Sequence, residues 1–130
     1  MNDTKFIKAY LEENVDVLCE ILKSLKDSCL SETEEAITVI YTSLSSGGRL
    51  LVCGNGGSAA DAQHLTSELV ATFARGQSRK PLSAICLSAD IATITAYAND
   101  YNYYEIFSRQ VEAHGRSGDC LLAISTSGKS

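Results

Sequence analysis

His64 and Glu68 stand four residues apart in a segment that favours helix, so their side chains share one helical face. An imidazole and a carboxylate placed there can move a proton or begin a metal site, and Asp61 lies on the same stripe. Just upstream runs Leu50-Leu51-Val52-Cys53-Gly54-Asn55-Gly56-Gly57-Ser58, a short apolar run that breaks into a glycine-rich turn. With a helix following at once, several backbone N–H groups collect at a helix N-terminus, where they can hold a phosphate. A second hydroxyl-rich loop, Ser125-Thr126-Ser127-Gly128-Lys129-Ser130, follows a later apolar run. Two anion-friendly loops and a His/Glu pair predict a site for a small phosphorylated molecule.

Each motif also has a plainer reading. Gly54 to Ala59 fits the loose G-x-G-x-x-G/A pattern of dinucleotide folds. That pattern wants an acid about 20 positions on to grip a ribose, and the first acid after the second strand is Asp90, well past that distance. Ala123 to Ser130 approximates a P-loop with alanine for the first glycine, Lys129 and Ser130 taking the lysine and hydroxyl positions. A P-loop also needs a following helix and a metal-binding acid, so the serine and threonine hydroxyls are the better ligands here, and a ligand-free turn is the plain alternative. His64 and Glu68 alone could be a solvated surface pair, and a zinc site would need one or two further ligands. His114 stands alone in a glycine-bearing region and reads as a surface residue. Asn99-Asp100 predicts a turn, and the crowd of Tyr97, Tyr101, Tyr103 and Tyr104 beside it reads as packing before a sugar-stacking platform.

These groups need elements to position them. Ile7, Leu11, Val15, Leu18, Leu22 and Leu25 recur at three- or four-residue steps, widened by Phe6, Tyr10, Val17 and Ile21. The spacing predicts an amphipathic helix of about seven turns, whose broad apolar face can pack on another subunit or on its own domain. Ser31 and Glu34 form a capping box for a second helix, with Ile37, Ile40, Tyr41 and Leu44 on one face and Gly47-Gly48 at its end. Leu50 to Cys53 reads as a strand buried on both faces, and Ser58 to about Phe73 as the third helix. A polar connection, Arg75 to Pro81, leads to a second strand over Ser83 to Leu87. Ser88 or Asp90 can cap a short helix through Ile94 and Tyr97. Glu105 to Ala113 is helical, Gly115 to Asp119 a loop, and Cys120 to Ile124 a third buried strand. Alternating strands and helices predict an α/β, doubly wound parallel sheet with right-handed crossovers. The chain ends where the next helix should begin, so the reading expects a fold cut short, with an uncovered third strand.

Composition bounds the partners. The chain has 130 residues, 45% hydrophobic and 21% charged, which suits one ordinary globular domain. A net charge of -5 argues against nucleic acid or an anionic membrane as partner. No apolar run approaches the roughly 20 residues of a transmembrane helix, and the residues after Met1 do not form a signal peptide. The five cysteines, Cys19, Cys29, Cys53, Cys86 and Cys120, are odd in number and widely spaced. They predict reduced thiols in a cytoplasmic protein.

Read together, the segments resemble the sugar isomerase (SIS) domain and, within it, the phosphoheptose isomerases. The residues that carry the resemblance are Cys53 to Ser58, Asp61 to His64, Glu68-Leu69, Ala98 to Asp100, Phe107 to Ala113 and Ile124 to Ser130. The resemblance implies a flavodoxin-like strand order. It divides the chain into an N-terminal helical hairpin for oligomerisation, 1–47, and the first part of an SIS sugar-phosphate-binding domain, 48–130. It implies an isomerase converting sedoheptulose 7-phosphate to D-glycero-D-manno-heptose 7-phosphate for bacterial lipopolysaccharide or capsule, assembled as a homotetramer.

By the same resemblance, Asn55, Gly56, Gly57 and Ser58 bind the sugar, and Asn99 and Asp100 reach its hydroxyls. Ser125, Thr126, Ser127 and Ser130 hold the phosphate. His64 and Glu68 are zinc ligands in members that carry zinc, and Glu68 is also the catalytic carboxylate. Aldose–ketose interconversion through an enediol needs such a base, a group serving the oxygens, and a fixed phosphate to orient the carbons. Two departures stand out. Thr72 occupies a position where the family usually has arginine, with Arg75 one turn further on as substitute. The family's C-terminal half, which brings a glutamine and a histidine to the site, is missing, so these 130 residues alone are expected to be inactive. The competing expectations are a non-catalytic member of the fold that binds a sugar phosphate or the DNA-replication initiator protein, and a sugar-phosphate-sensing module.

Overall fold

A computed structural model describes residues 3–74, 76 and 78–129. Arg75 and Ser130, both singled out by sequence, lie outside the described residues. The chain divides into two compact units, Met1–Thr38 and Val39–Ser130.

In the first unit the predicted amphipathic helix is α1 (Asp3–Ser28), and α2 (Leu30–Ser45) begins one residue later. Cys29 N–H donates to Leu25 O at 3.0 Å, and Cys29 O accepts from Thr33 N–H at 3.0 Å. Both are i→i−4 bonds, one closing the last turn of α1 and the other opening the first turn of α2. Only Cys29 separates the two helices, fewer than the about 2–5 residues that commonly connect an αα-hairpin. The expected capping box does not form, because α2 already begins at Leu30. With Cys29 O already feeding the next turn, Ser31 lies inside α2, and Thr33 Oγ1 bonds Cys29 O instead at 2.7 Å. Along α1 the large apolar side chains from Phe6 to Leu25 are all exposed.

The second unit is built on β1 (Leu50–Gly54), buried along its whole length. It lies between β2 (Ala84–Cys86) and β3 (Cys120–Ile124), parallel to both, in the order β2-β1-β3. That is the flavodoxin-like order, with a topological switch at β1/β3. Side chains alternate across the sheet. Leu50 and Val52 face Ala62, Leu65 and Leu69 of α3 (Gly57–Val70), with Ile40 and Leu44 of α2. Leu51 and Cys53 face Leu87 and, from α5 (Ile106–His114), Phe107 and Val111. Helices therefore cover both faces of β1, as its apolar run predicted. β3 is not the buried strand expected: Leu121 and Ala123 are exposed, because β3 has a neighbour on one side only among the described residues. Burying each of Leu50, Leu51 and Leu87, at most 2% exposed, stabilises the fold by about 1.5–3 kcal/mol. Burial, and then the neighbouring Cys86, push the Cys53 thiol above its ordinary range, which suits an inert core residue.

Between β2 and α5 runs α4 (Ile91–Asp100). Of the two candidate caps, Asp90 does the work: its carboxylate accepts from Thr93 N–H at 3.1 Å and from Thr93 Oγ1 at 2.6 Å. Asn99-Asp100 is not a turn but the last turn of α4, because Tyr101 N–H still reaches back to Tyr97 O at 3.0 Å. A single 3-10 turn, Tyr103–Glu105, then leads into α5. Ahead of β3, Asp119 accepts from Arg49 N–H and Arg116 N–H, both at 3.0 Å, and fixes the strand's entry. Among the described residues β3 pairs only with β1, and no helix is long and apolar enough to cross a membrane.

Candidate functional site

In open parallel sheets, ligands bind outside the C-terminal ends of the strands at the switch point. Here that point lies between β1 and β3, where Gly54 pairs with Ile124. The register places Asn55 and Ser125, the next residue on each strand, at the same sheet edge. The two loops singled out by sequence therefore meet.

Gly54 is required by close approach: a Cβ there would lie 2.6 Å from Ser58 O. Gly56, the N-cap residue of α3, has φ 56 and ψ -123, a backbone that L side chains rarely adopt. No side chain caps this helix, and its first turn carries no acid, so its positive end is left for a ligand. Ser58 is buried beneath the turn and is a structural member of the site.

In the second loop Ser125 Oγ accepts from Gly128 N–H at 3.0 Å, and Ser127 Oγ from Lys129 N–H at 3.2 Å. Each hydroxyl has spent an acceptor position and keeps its proton to donate, as a phosphate oxygen requires. Ser125, Thr126, Ser127 and Lys129 are all exposed.

Two residues that the sequence reading placed outside the site complete the loop architecture. Ser88 Oγ bonds both the N–H and the carbonyl of Gly54, and Tyr103 Oη donates to Asn55 Oδ1 at 2.8 Å. Tyr103 stands three residues beyond Asp100, so it draws the end of α4 toward the glycine turn. Asn99 Nδ2 donates to Asp100 Oδ1 at 2.9 Å, and both residues are exposed there.

His64 and Glu68 do pair, with His64 Nε2 3.8 Å from Glu68 Oε1. They do not join the loops. Glu68 lies about 16 Å along α3 from Gly57, at roughly 1.5 Å per residue. Leu69 O accepts from Leu82 N–H, so this end of α3 lies at the start of β2. Arg79 donates to the carbonyls of Glu68 and Leu69 and closes the helix end. Glu68 Oε2 is buried without a hydrogen-bond partner. Buried carboxylate oxygens are almost always satisfied, so an orphan marks a place where a ligand, proton or metal completes the structure.

Zinc, the expected metal, finds two suitable donors in His64 and Glu68. Among the described residues no third histidine, cysteine, aspartate or glutamate joins them, so these residues do not make a four-coordinate site. A cavity of about 640 Å³ lies elsewhere, lined by Asp90, Thr93, Arg109, Gln110 and His114 among others. Beside it, the Thr93 hydroxyl and then its N–H hold the Asp90 carboxyl below the usual range.

Comparison with known proteins agrees with this architecture. The SIS domain model matches residues 10–130. Phosphoheptose isomerase of Rhodospirillum rubrum is 51% identical over 102 residues, covering 78% of this chain and 53% of that protein. That of Aromatoleum aromaticum is 45% identical over 124 residues, covering 95% of this chain and 60% of that protein. Among solved structures, phosphoheptose isomerase GmhA from Neisseria gonorrhoeae superposes with a TM-score of 0.79 at 38% identity, covering 98% of this chain and 62% of that one. A phosphoheptose isomerase from Francisella tularensis gives 0.80 at 38% identity, covering 97% and 63%. The chain thus spans a little over half the length of the curated relatives it matches. With the parallel β2-β1-β3 sheet and the glycine turn at its switch point, the match over residues 10–130 settles the family: this chain belongs to the SIS domain family.

Proposed function

We propose that the protein is a phosphoheptose isomerase, interconverting sedoheptulose 7-phosphate and D-glycero-D-manno-heptose 7-phosphate for heptose incorporation into bacterial lipopolysaccharide or capsule. The observation that carries this reading is Glu68, whose Oε2 is buried and unpartnered on a chain similar to phosphoheptose isomerases. A non-catalytic phosphosugar binder would have no use for that carboxylate.

In this account the loop at Ser125–Ser127, with Ser130, holds the phosphate, and Lys129 adds positive charge. Asn55 and the N–H groups at Gly56 and Gly57 hold the sugar, with Asn99 and Asp100 on its hydroxyls. Glu68 takes the proton from one carbon and returns it to its neighbour through an enediol. Fixing the phosphate turns a free encounter into an oriented one. Where zinc is present it would polarise the sugar oxygens, with His64 and Glu68 among its ligands.

The separation of Glu68 from the loops has a consequence. The loops of one copy must work with Glu68 of another, so self-assembly belongs to the reading. The exposed apolar stripe of α1 supplies a surface for a homotetramer. The five free cysteines fit a reducing, cytoplasmic setting.

The test is complementation in the full-length protein. Glu68→Gln chains and Ser125→Ala/Thr126→Ala chains, each impaired alone, are unfolded, mixed and refolded together, and the conversion is compared with that of each variant treated alone. Recovered conversion of sedoheptulose 7-phosphate supports the shared site. No conversion by the wild-type protein overturns the proposed activity.

A further inference from the structure

We infer that Tyr103 is a positioning residue that turns the Asn55 amide so that its Nδ2 faces the sugar. The inference rests on the phosphosugar reading of the glycine turn. Tyr103 Oη donates to Asn55 Oδ1 at 2.8 Å across 48 positions of sequence. A carboxamide has one acceptor oxygen and one donor nitrogen. With the oxygen engaged by the phenol, the group offers the ligand donors. Among the described residues no protein group accepts from Nδ2. Asn55 directly follows Gly54 at the end of β1, so those donors stand at the mouth of the turn. They suit a ligand rich in oxygen acceptors, such as the carbonyl and hydroxyls of a polyol phosphate.

The phenol is itself held in place. Asn102 Oδ1 accepts from Glu105 N–H at 3.0 Å and caps the turn that carries Tyr103. Glu105 Oε2 accepts from Tyr97 Oη at 3.0 Å, and the Tyr97 ring stacks on Tyr101 with centroids 4.8 Å apart. The tyrosine cluster is thus a frame that delivers one hydroxyl to Asn55. Neither Tyr103 nor its frame touches the loop at Ser125 in any hydrogen bond among the described residues, so its effect falls on the sugar and spares the phosphate.

Tyr103→Phe keeps the ring and deletes the donor. In the ligand-free protein, the Asn55 side-chain amide signals in a ¹⁵N NMR spectrum should move. In the full-length protein, affinity for sedoheptulose 7-phosphate should fall about two- to ten-fold, as for one lost hydrogen bond, with affinity for inorganic phosphate unchanged. On an Asn55→Ala background the same change should have no further effect. Unmoved amide signals, an equal loss on the Asn55→Ala background, or equal losses for phosphate and sugar phosphate would each overturn the inference. Should the wild-type protein bind phosphate but not the sugar phosphate, the functional reading fails, and the amide signals still judge Tyr103.

Discussion

Ser88 Oγ donates to the carbonyl oxygen of Gly54 at 2.7 Å and accepts the Gly54 N–H at 3.0 Å. One hydroxyl therefore satisfies both backbone groups of the residue at which β1 turns into the glycine loop. Ser88→Ala leaves a buried donor and a buried acceptor without partners. We expect a loss of about 1–3 kcal/mol in unfolding free energy, measured by urea denaturation. Sugar-phosphate affinity should fall with it, because the loop loses its anchor. Unchanged stability would show that the loop holds itself.

The three glycines of the turn are not equivalent. At Gly54 an added Cβ meets the Ser58 backbone, which cannot swing aside, whereas at Gly57 it meets nothing within 4 Å. Gly54→Ala should lower the melting temperature and distort the first turn of α3. Gly57→Ala should fold and melt like the wild type, yet weaken sugar-phosphate binding by filling the space a ligand enters. Calorimetry on the pair reads both effects. Equal stability of the two variants would contradict the packing described at Gly54.

Asp90 gives α4 an acid dependence. Hydrogen bonds from the Thr93 hydroxyl and N–H lower its folded pKa below the unfolded value, so its stabilising effect is full above about pH 4 and fades as pH falls through the folded value. Asp90→Asn keeps a side-chain cap but no titrating group. Hydrogen exchange at the start of α4 should therefore accelerate on acidification in the wild type and much less in the variant. Parallel acid profiles would place the dependence elsewhere.

Serine hydroxyls aimed at a phosphate predict a specific loss. Removing both hydroxyls in Ser125→Ala/Thr126→Ala should weaken binding of sedoheptulose 7-phosphate in the full-length protein at least ten-fold, roughly 1.4 kcal/mol, by isothermal titration. Unchanged affinity would remove this loop from the site.

The elements that position the loops are legible in the sequence because buried parallel strands write continuous apolar runs. Leu50 to Cys53 does so, the apolar run Cys120 to Ile124 marks β3 although that strand is only half-buried, and the glycines mark where β1 must turn. What fails is local chemistry decided at a distance. Ser88 reads as a helix cap until its bonds to Gly54 appear, 34 positions away. Asn99-Asp100 reads as a turn because its composition is turn-like, yet α4, capped at Asp90, carries through it. Ser31 and Glu34 read as a capping box, yet α2 already begins at Leu30. The link between Tyr103 and Asn55 has no local signature at all. The spacing of His64 and Glu68 identifies a pair, and the length of helix before them already sets that pair apart from the loops.

The central claim is that Glu68 is the base. Glu68→Gln keeps the size and hydrogen-bonding shape of the side chain and removes its basicity. In the full-length protein we expect the fold and phosphate binding to stay nearly intact while turnover of sedoheptulose 7-phosphate falls about 10²–10⁴-fold. Bound zinc, measured on the same sample, separates a lost base from a lost metal ligand: lower metal content with partial rescue by added zinc would assign Glu68 to the metal. An unchanged rate with unchanged metal would reduce Glu68 to half of a surface pair with His64 and contradict the account.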